Sequence, residues 1–321
     1  MNVLPFEKQV RIIAALSEGC GINATGRMVD VDKHTVMSLQ VRVGEACQRL
    51  HDARMRNLNV SLLELDEAWS YIRKHQRFVV PGDPASWGDC YIWVALDATN
   101  KAIVSYRLGR RDYENANALA ADLRARILNR PQITSDGLVA YINAIEQAFG
   151  ADCDYAMLQK EYASVPGNDA AHRYSPGAII GVEKRVIMGN PDEEKISTSY
   201  VERQNLTLRM GIRRMTRLTN AYSKKFRNHA AAMSLHVAFY NFCRVHETLR
   251  ITPAMAIGVT KHIWTVGELI HEALNAPVEP PAPTAPVPPT LPRDSETGLL
   301  AGRRPFRLQV IRGGKLTPRR S

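Results

Sequence analysis

The stretch "SLLELDEAWSYI", residues 61–72, marks where the chain changes character. Upstream of it, apolar residues recur at helical spacing. From here on they form short runs bounded by turn residues, which read as strands. As the first strand of a sheet it carries Asp66 in its middle, where a carboxylate is costly unless paired or bound to a cation. Side chains alternate along a strand, so Glu67 is expected on the opposite face. Glu64 shares the face of Asp66 and is its rival for any chemistry there.

Downstream, "CYIWVALDAT" (90–99) and "AIVSYRLG" (102–109) form a hairpin across "NK", with Asp97 assigned to turn chemistry. "ENANALAADLRARIL" (114–128) is a helix with Leu119, Leu123 and Ile127 on one side. "PQITSDG" (131–137) is a short strand ending on Asp136. A helix over "VAYINAIEQAFG" and a strand over "DCDYAML" follow. Residues 160–196 are polar and punctuated by Gly and Pro, with a hairpin expected around "AIIGVEKRVIMG" (178–189). Two helices are expected at 199–218 and 224–246, the second with Met233, Val237, Tyr240 and Phe242 in an apolar band. This order predicts an α/β class, a mixed sheet flanked by helices.

Working upstream, "FEKQVRIIAALSEG" puts Phe6, Val10, Ile13 and Ala14 on one helical face and ends at Gly19. "GINATGRMVDV" gives a second short helix. In the third, Asp32 is the N-cap and Val36, Leu39 and Val43 form the apolar face. Three helices with a tight turn before the last are similar to a helix-turn-helix unit, assigned to residues 1–56. Lys33 and His34, with Met37 and Gln40 behind them, would then face the major groove. Residues 57–275 form the α/β domain. The tail, 276–321, opens on "NAPVEPPAPTAPVPPTLP" and is expected to be a disordered, basic, proline-rich extension.

Lys and Arg outnumber Asp and Glu by 42 to 32, so a polyanionic partner suits the chain. The five cysteines lack C-x-x-C spacing, which argues against a zinc site or a disulfide framework. No signal-peptide pattern and no apolar run of membrane-spanning length occurs, so a cytoplasmic protein is expected, with no membrane partner.

The second informative stretch is "ISTSYVERQNLTLRMGIRRMTR", residues 196–217. Glu202 stands alone near its start. Arg209 lies two helical turns on, on the same face, and Arg213 and Arg217 continue at i+4 steps. From Arg209 to Arg227 there are seven basic residues, Arg214, Lys224 and Lys225 among them, and no acid. A solvated helix face interleaves signs; this one reads as a row of phosphate contacts. Asp136, at the carboxyl end of its strand, occupies a usual ligand position in open α/β sheets. Three carboxylates meeting there would offer hard oxygen ligands for Mg²⁺ or Mn²⁺. Taken singly, each is an ordinary turn or surface acid.

On "ELDEAWSYI", "ITSDG", "ISTSYVERQNLTLR" and "FYNFCRVHETLRITPAMA", the chain resembles bacterial insertion-sequence transposases of the DDE class, with an RNase H-like catalytic domain. The resemblance runs to about residue 274. It implies that Asp66, Asp136 and Glu202 are the catalytic and metal-binding acids. It further implies two divalent ions, a DNA partner in the form of transposon ends and target, and a homo-oligomer in the synaptic complex. A catalytically inactive DNA-binding regulator and an RNase H-like nuclease are the alternatives.

Overall fold

A computed structural model of the chain describes residues 4–163, 178–216 and 219–278, together with the backbone of 310–312. Strand β1 (Leu62–Ile72) pairs antiparallel with β2 (Gly88–Asp97), which turns back into β3 (Ile103–Gly109). Asp97 holds that turn: its carboxylate accepts the Thr99 and Asn100 backbone N–H groups at 2.8 and 3.2 Å and the Asn100 side-chain amide at 2.7 Å. Helix α4 (Tyr113–Arg126) leads to β4 (Gln132–Ser135), parallel to β1, and α5 (Ala140–Phe149) leads to β5 (Asp154–Tyr162), parallel to β4. Parallel neighbours need a crossover, and these two helices supply it.

Strand β6 (Ile179–Met188) returns antiparallel to β5. "AIIGVEKRVIMG" is therefore one strand whose hairpin partner is β5, not a hairpin in itself. The sheet order is β3-β2-β1-β4-β5-β6, a mixed arrangement consistent with an RNase H-like fold. The backbone of β7 (Val310–Arg312) pairs antiparallel with β6. The expected disorder of the proline-rich tail otherwise lies outside the described residues.

Helices cover both faces. On one, Leu63, Leu65, Trp93 and Ile133 pack with Leu119 and Leu123 of α4 and Tyr141 of α5; the Trp93 and Tyr141 rings meet edge to face at 5.6 Å. On the other, Ala68, Ile92 and Val94 pack with Val201 and Leu208 of α6 (Ser199–Gly211) and Met233 and Val237 of α7 (Phe226–Phe242). Helix α7 is buried along most of its length. Its Asn241 carboxamide mimics a strand partner, accepting the Ile103 N–H at 3.0 Å and donating to the Ile103 carbonyl at 2.9 Å, beside the β2–β3 register shift.

The three N-terminal helices, α1 (Phe6–Ser17), α2 (Ile22–Val29) and α3 (Lys33–Arg54), follow the sequence pattern. Asp32 caps α3 by accepting the His34 N–H at 2.7 Å. The buried face of α1 is rotated from the expected one: Gln9, Ile12, Ile13 and Leu16 turn inward, and Phe6 is half exposed. The reason is a second neighbour, because α1 packs on α3 and also on α9 (Val266–Leu274), which follows the short α8 (Pro253–Ala256). Helices α3 and α7 cross closely enough that a Cβ on Gly44 would overlap the Ala231 backbone. One hydrophobic cluster runs from Ile12, Val36 and Leu50 through Leu65 and Ile133 to Phe242 and Leu269, without a break at residue 56. Arg126 ties the same junction, pairing with Asp52 at 2.5 Å and Asp122 at 2.6 Å.

Helix α6 is shorter than the basic pattern suggested. It ends at Gly211, and the extended backbone of Ile212 leads into a 3₁₀ turn over Arg213–Met215. Ile212 and Met215 are buried in the cluster under α7, so apolar burial, not the arginine periodicity, sets the chain's path here.

Candidate functional site

Strands β1 and β4 run side by side only as far as the pair Leu65–Ser135. The next residue on each is an aspartate, so Asp66 and Asp136 stand where two parallel strands separate, at the carboxyl end of β4. Oxygens of Asp66, Asp136 and Glu67 all lie within 4.8 Å of one another, the single such acidic group found among the described residues. Glu67 was expected on the far face. Its side chain reaches the group because β4 has already ended, so both faces of β1 open on one gap. Arg111 bridges the cluster, donating to Glu67 at 3.0 Å and Asp136 at 3.3 Å.

One guanidinium does not compensate three carboxylates. Burial, then the charges of Asp136 and Glu67, push the Asp66 carboxyl up to about 7. Burial also raises Glu67, helped by Asp136, and it raises Asp136 against the opposing pull of the Leu138 N–H and Arg111. Asp66 accepts the Asn205 side-chain amide at 2.8 Å. Glu67 also interacts with the buried Tyr141 hydroxyl, and Asn205 Oδ1 is buried without a hydrogen-bond partner. A crowd of hard oxygens, short of positive charge and beside an unpaired acceptor, fits a divalent cation such as Mg²⁺ or Mn²⁺. Asp66, Asp136 and Glu67 are the residues able to hold it.

Glu202 sits on the first turn of α6 and lines a cavity of about 740 Å³ together with Asp66 and Glu67. It is near enough for its charge to raise Asp136. It does not belong to the tight group: its Oε1 accepts from the Lys160 ammonium and, at 2.6 Å, from the Thr198 hydroxyl. Of the three expected acids, Asp66 and Asp136 are thus in contact range, while Glu202 shares a cavity with Asp66 and stands outside the tight group.

The rival acid, Glu64, has another task. Its Oε2 accepts the Tyr200 and Val201 N–H groups at 2.8 and 2.9 Å, capping α6 from across the sheet. The local cap residue, Thr198, makes no capping bond because its hydroxyl is given to Glu202. A carboxylate at a helix N-terminus satisfies orphan donors and complements the helix dipole. Glu64 therefore docks the helix that carries Glu202.

The basic residues divide. Arg209 borders the acid cavity and reaches the Trp69 carbonyl at 3.4 Å, and the exposed Arg213 borders it as well. Arg214 does not join the expected row: its guanidinium turns inward to Gln40 at 2.8 Å and the Asn228 carbonyl at 3.0 Å, and burial lowers it to about 10. Gln40, expected in the major groove, is correspondingly buried. Lys33 and His34 are exposed at the start of α3, and Lys224 and Lys225 just before α7. Arg217 lies outside the described residues.

Sequence reasoning missed Glu67, Arg111 and Asn205. Asn205 lies three residues after Glu202, a spacing that puts both on one helical face and could have flagged it. Arg111 carried no local signal.

The sequence matches no family model and no curated protein. Among solved structures, a piggyBac transposase synaptic complex with hairpin DNA aligns with 84% of this chain and 69% of that one, at 9% identity and a TM-score of 0.34. A Mos1 transposase paired-end complex with left transposon end aligns with 46% of this chain and 58% of that one, at 14% identity and a TM-score of 0.19. A Mos1 mariner paired end complex with Mn gives the same shares and identity, with a TM-score of 0.17. Scores this low carry no argument about this chain. No described helix is long and apolar enough to cross a membrane.

Proposed function

We propose that the chain is a DDE-class transposase of a bacterial insertion sequence, cutting DNA at the element's ends and joining the freed 3′-OH to target DNA. The observation that carries the reading is the meeting of Asp66 and Asp136 where β1 and β4 part, with Glu202 across the same cavity. Both reactions are displacements at phosphorus by an oxygen of water or sugar, so no Ser, Tyr or Cys nucleophile is required. Asp66 and Asp136, with Glu67 beside them, would hold a divalent cation, which when bound would supply positive charge to the phosphodiester under attack. Glu67 positions Arg111, whose guanidinium also pairs with Asp136 and offsets part of the cluster's negative charge. Glu202 exchanges Lys160 for the site once DNA is bound. Arg209 and Arg213 take phosphates beside the cavity, and Lys33 and His34 read the element's end from a helix-turn-helix. Synapsis of two ends requires more than one copy of the chain.

The test is a cleavage and strand-transfer assay with purified protein, Mg²⁺ or Mn²⁺, and duplexes spanning the ends that bracket the coding region. Nicking is expected at the ends, lost in Asp66→Asn, Asp136→Asn and Glu202→Gln while end binding persists. Retained strand transfer in any of the three removes that residue from the chemistry. The Lys160 contact to Glu202 favours one second reading, an inactive DNA-binding derivative. End binding with no nicking at any divalent concentration would establish it instead.

A further inference from the structure

Past Leu65, the free edge of β1 borders a second cavity, of about 460 Å³, and Arg209 and Thr216 line both this cavity and the acid cavity. Its walls differ in kind. Trp69 and Tyr71 come from β1, His75 from the loop after it, and Tyr222 from the segment before α7. Ring centroids are 5.2 Å apart for Trp69 and His75, 4.2 Å for Tyr71 and His75, and 5.4 Å for Tyr71 and Tyr222, with tilts of 50°, 32° and 30°. The rings thus form a continuous row of π faces.

Three features separate this row from ordinary core. All four rings are partly exposed, and none belongs to any of the hydrophobic clusters. No Asp or Glu lines the cavity among the described residues, whereas Arg209 and the largely buried Arg214 do. Trp69 lies three residues beyond Asp66, roughly 10 Å along the strand. Half-buried rings gathered into one row outside every apolar cluster make a contiguous patch of the kind that binding sites use. An acid-free wall with a guanidinium suits a phosphodiester chain, and π faces suit flat heterocycles.

We propose that this cavity takes an unpaired nucleobase from the DNA strand whose phosphate lies at Asp66 and Asp136. The base stacks on Trp69 and Tyr71, and Arg209 faces the phosphate between the two cavities. The inference rests on the reading of the acid site as a DNA-processing centre and adds that the strand is unstacked beside it. Stacking on an aromatic ring tolerates any base, so the cavity selects single-stranded character, not sequence.

The experiment uses the full chain in EDTA, which separates binding from cleavage. A fluorescein-labelled duplex with a single-stranded thymidine tail is compared with the same duplex fully paired. The tailed probe is expected to bind about tenfold tighter or more. Trp69→Ala and Tyr71→Ala lose that preference with fully paired binding unchanged, and Trp69→Phe keeps most of it. An abasic residue in the tail costs the native chain the same factor and costs Trp69→Ala nothing further. A 2-aminopurine in the tail is quenched on the native chain, a readout independent of any variant. Equal preference in the native chain and Trp69→Ala, or unquenched 2-aminopurine at saturation, overturns the inference. Cleavage is a separate outcome: a chain that prefers tails but never cuts sinks only the transposase reading, and one that cuts without the preference sinks only this inference.

Discussion

The two halves of β1 obey different rules. From Leu63 to Leu65 the strand has a partner on each side, β2 and β4, and its apolar side chains are buried. From Asp66 to Tyr71 it keeps β2 alone, until Ile72 meets Ser223 in an isolated bridge and the Arg73 N–H reaches the Ser223 carbonyl at 2.8 Å. The first half is a scaffold. The second carries the acids, the edge carbonyl under Arg209 and the open rings. Loss of one neighbour turns a core strand into a wall of two cavities, and it does so between consecutive residues.

The strongest way to break this contrast compares Asp66 with Glu64, one on each side of the boundary. Asp66→Asn or Asp136→Asn is expected to lower cleavage by roughly a thousandfold or more, about 4 kcal/mol in the barrier. Without divalent cations the same variants should unfold at a higher temperature than the native chain, because each removes one of three crowded carboxylates. Glu64→Gln should keep cleavage within about tenfold, since a cap can be partly replaced by a carboxamide. Equal loss of cleavage in Glu64→Gln and Asp66→Asn would erase the distinction between scaffold and site.

Next in size is the scaffold itself. Glu64→Ala leaves the Tyr200 and Val201 N–H groups without their acceptor in a buried setting, at an expected cost of about 2–3 kcal/mol. Urea unfolding of the native and variant chains measures it. A cost below about 0.5 kcal/mol would mean that α6 does not depend on the strand for its cap.

Much of this is legible in the sequence. The strands β1 to β5, the crossover helices, the N-cap at Asp32 and the Asp97 turn follow from local pattern, because each is decided by residues a few positions apart, whereas the single strand β6 was expected as a hairpin. Asp66 and Asp136 were also legible, one as a charge in an apolar strand and one at a strand's end. Glu67 was not: alternation puts it on the opposite face, and only the early end of β4, a tertiary fact, opens that face onto the gap beside Asp66 and Asp136. Arg214 misled for a related reason. Its place in a basic row suggested solvent, but Gln40, 174 residues away, claims it. The same distance hides Glu64's role, which depends on a helix more than a hundred residues downstream.

A pH experiment sharpens the contrast at the far end of β1. His229 on α7 braces the second half of the strand, bonding Ser70 Oγ at 3.0 Å and Ser223 Oγ at 2.7 Å. Ser70 donates to the Cys90 carbonyl, so its oxygen accepts from Nε2–H, and Nδ1 is left to accept from Ser223. That arrangement requires the neutral ring. Burial, with the charge of Arg214, lowers the His229 pKa from 6.5 to about 3. The unfolded chain then binds a proton near pH 6.5 that the folded chain refuses until about pH 3. The contribution is complete above the upper value and is lost as pH falls through that window. His229→Asn should flatten the acid limb of the stability curve, though not abolish it, because burial lowers His236 to about 4 in the same helix. An unchanged acid limb would mean that His229 is already charged in the fold.

The smallest effect separates two neighbouring arginines. Arg209 borders both cavities, whereas Arg214 lines only the aromatic one and gives its guanidinium to Gln40 and the Asn228 carbonyl. Arg209→Ala is expected to reduce the slope of log affinity against log salt by about 1, the signature of one lost phosphate contact, with little change in stability. Arg214→Ala is expected to leave the slope alone and to cost about 1–3 kcal/mol, because Gln40 and the Asn228 carbonyl lose their donor. Measured together, the two variants ask whether the charge that matters to DNA follows the sequence pattern or the free edge of β1. If Arg214→Ala flattens the salt dependence and Arg209→Ala does not, phosphates run along the basic row and the gap beside β1 is not their path.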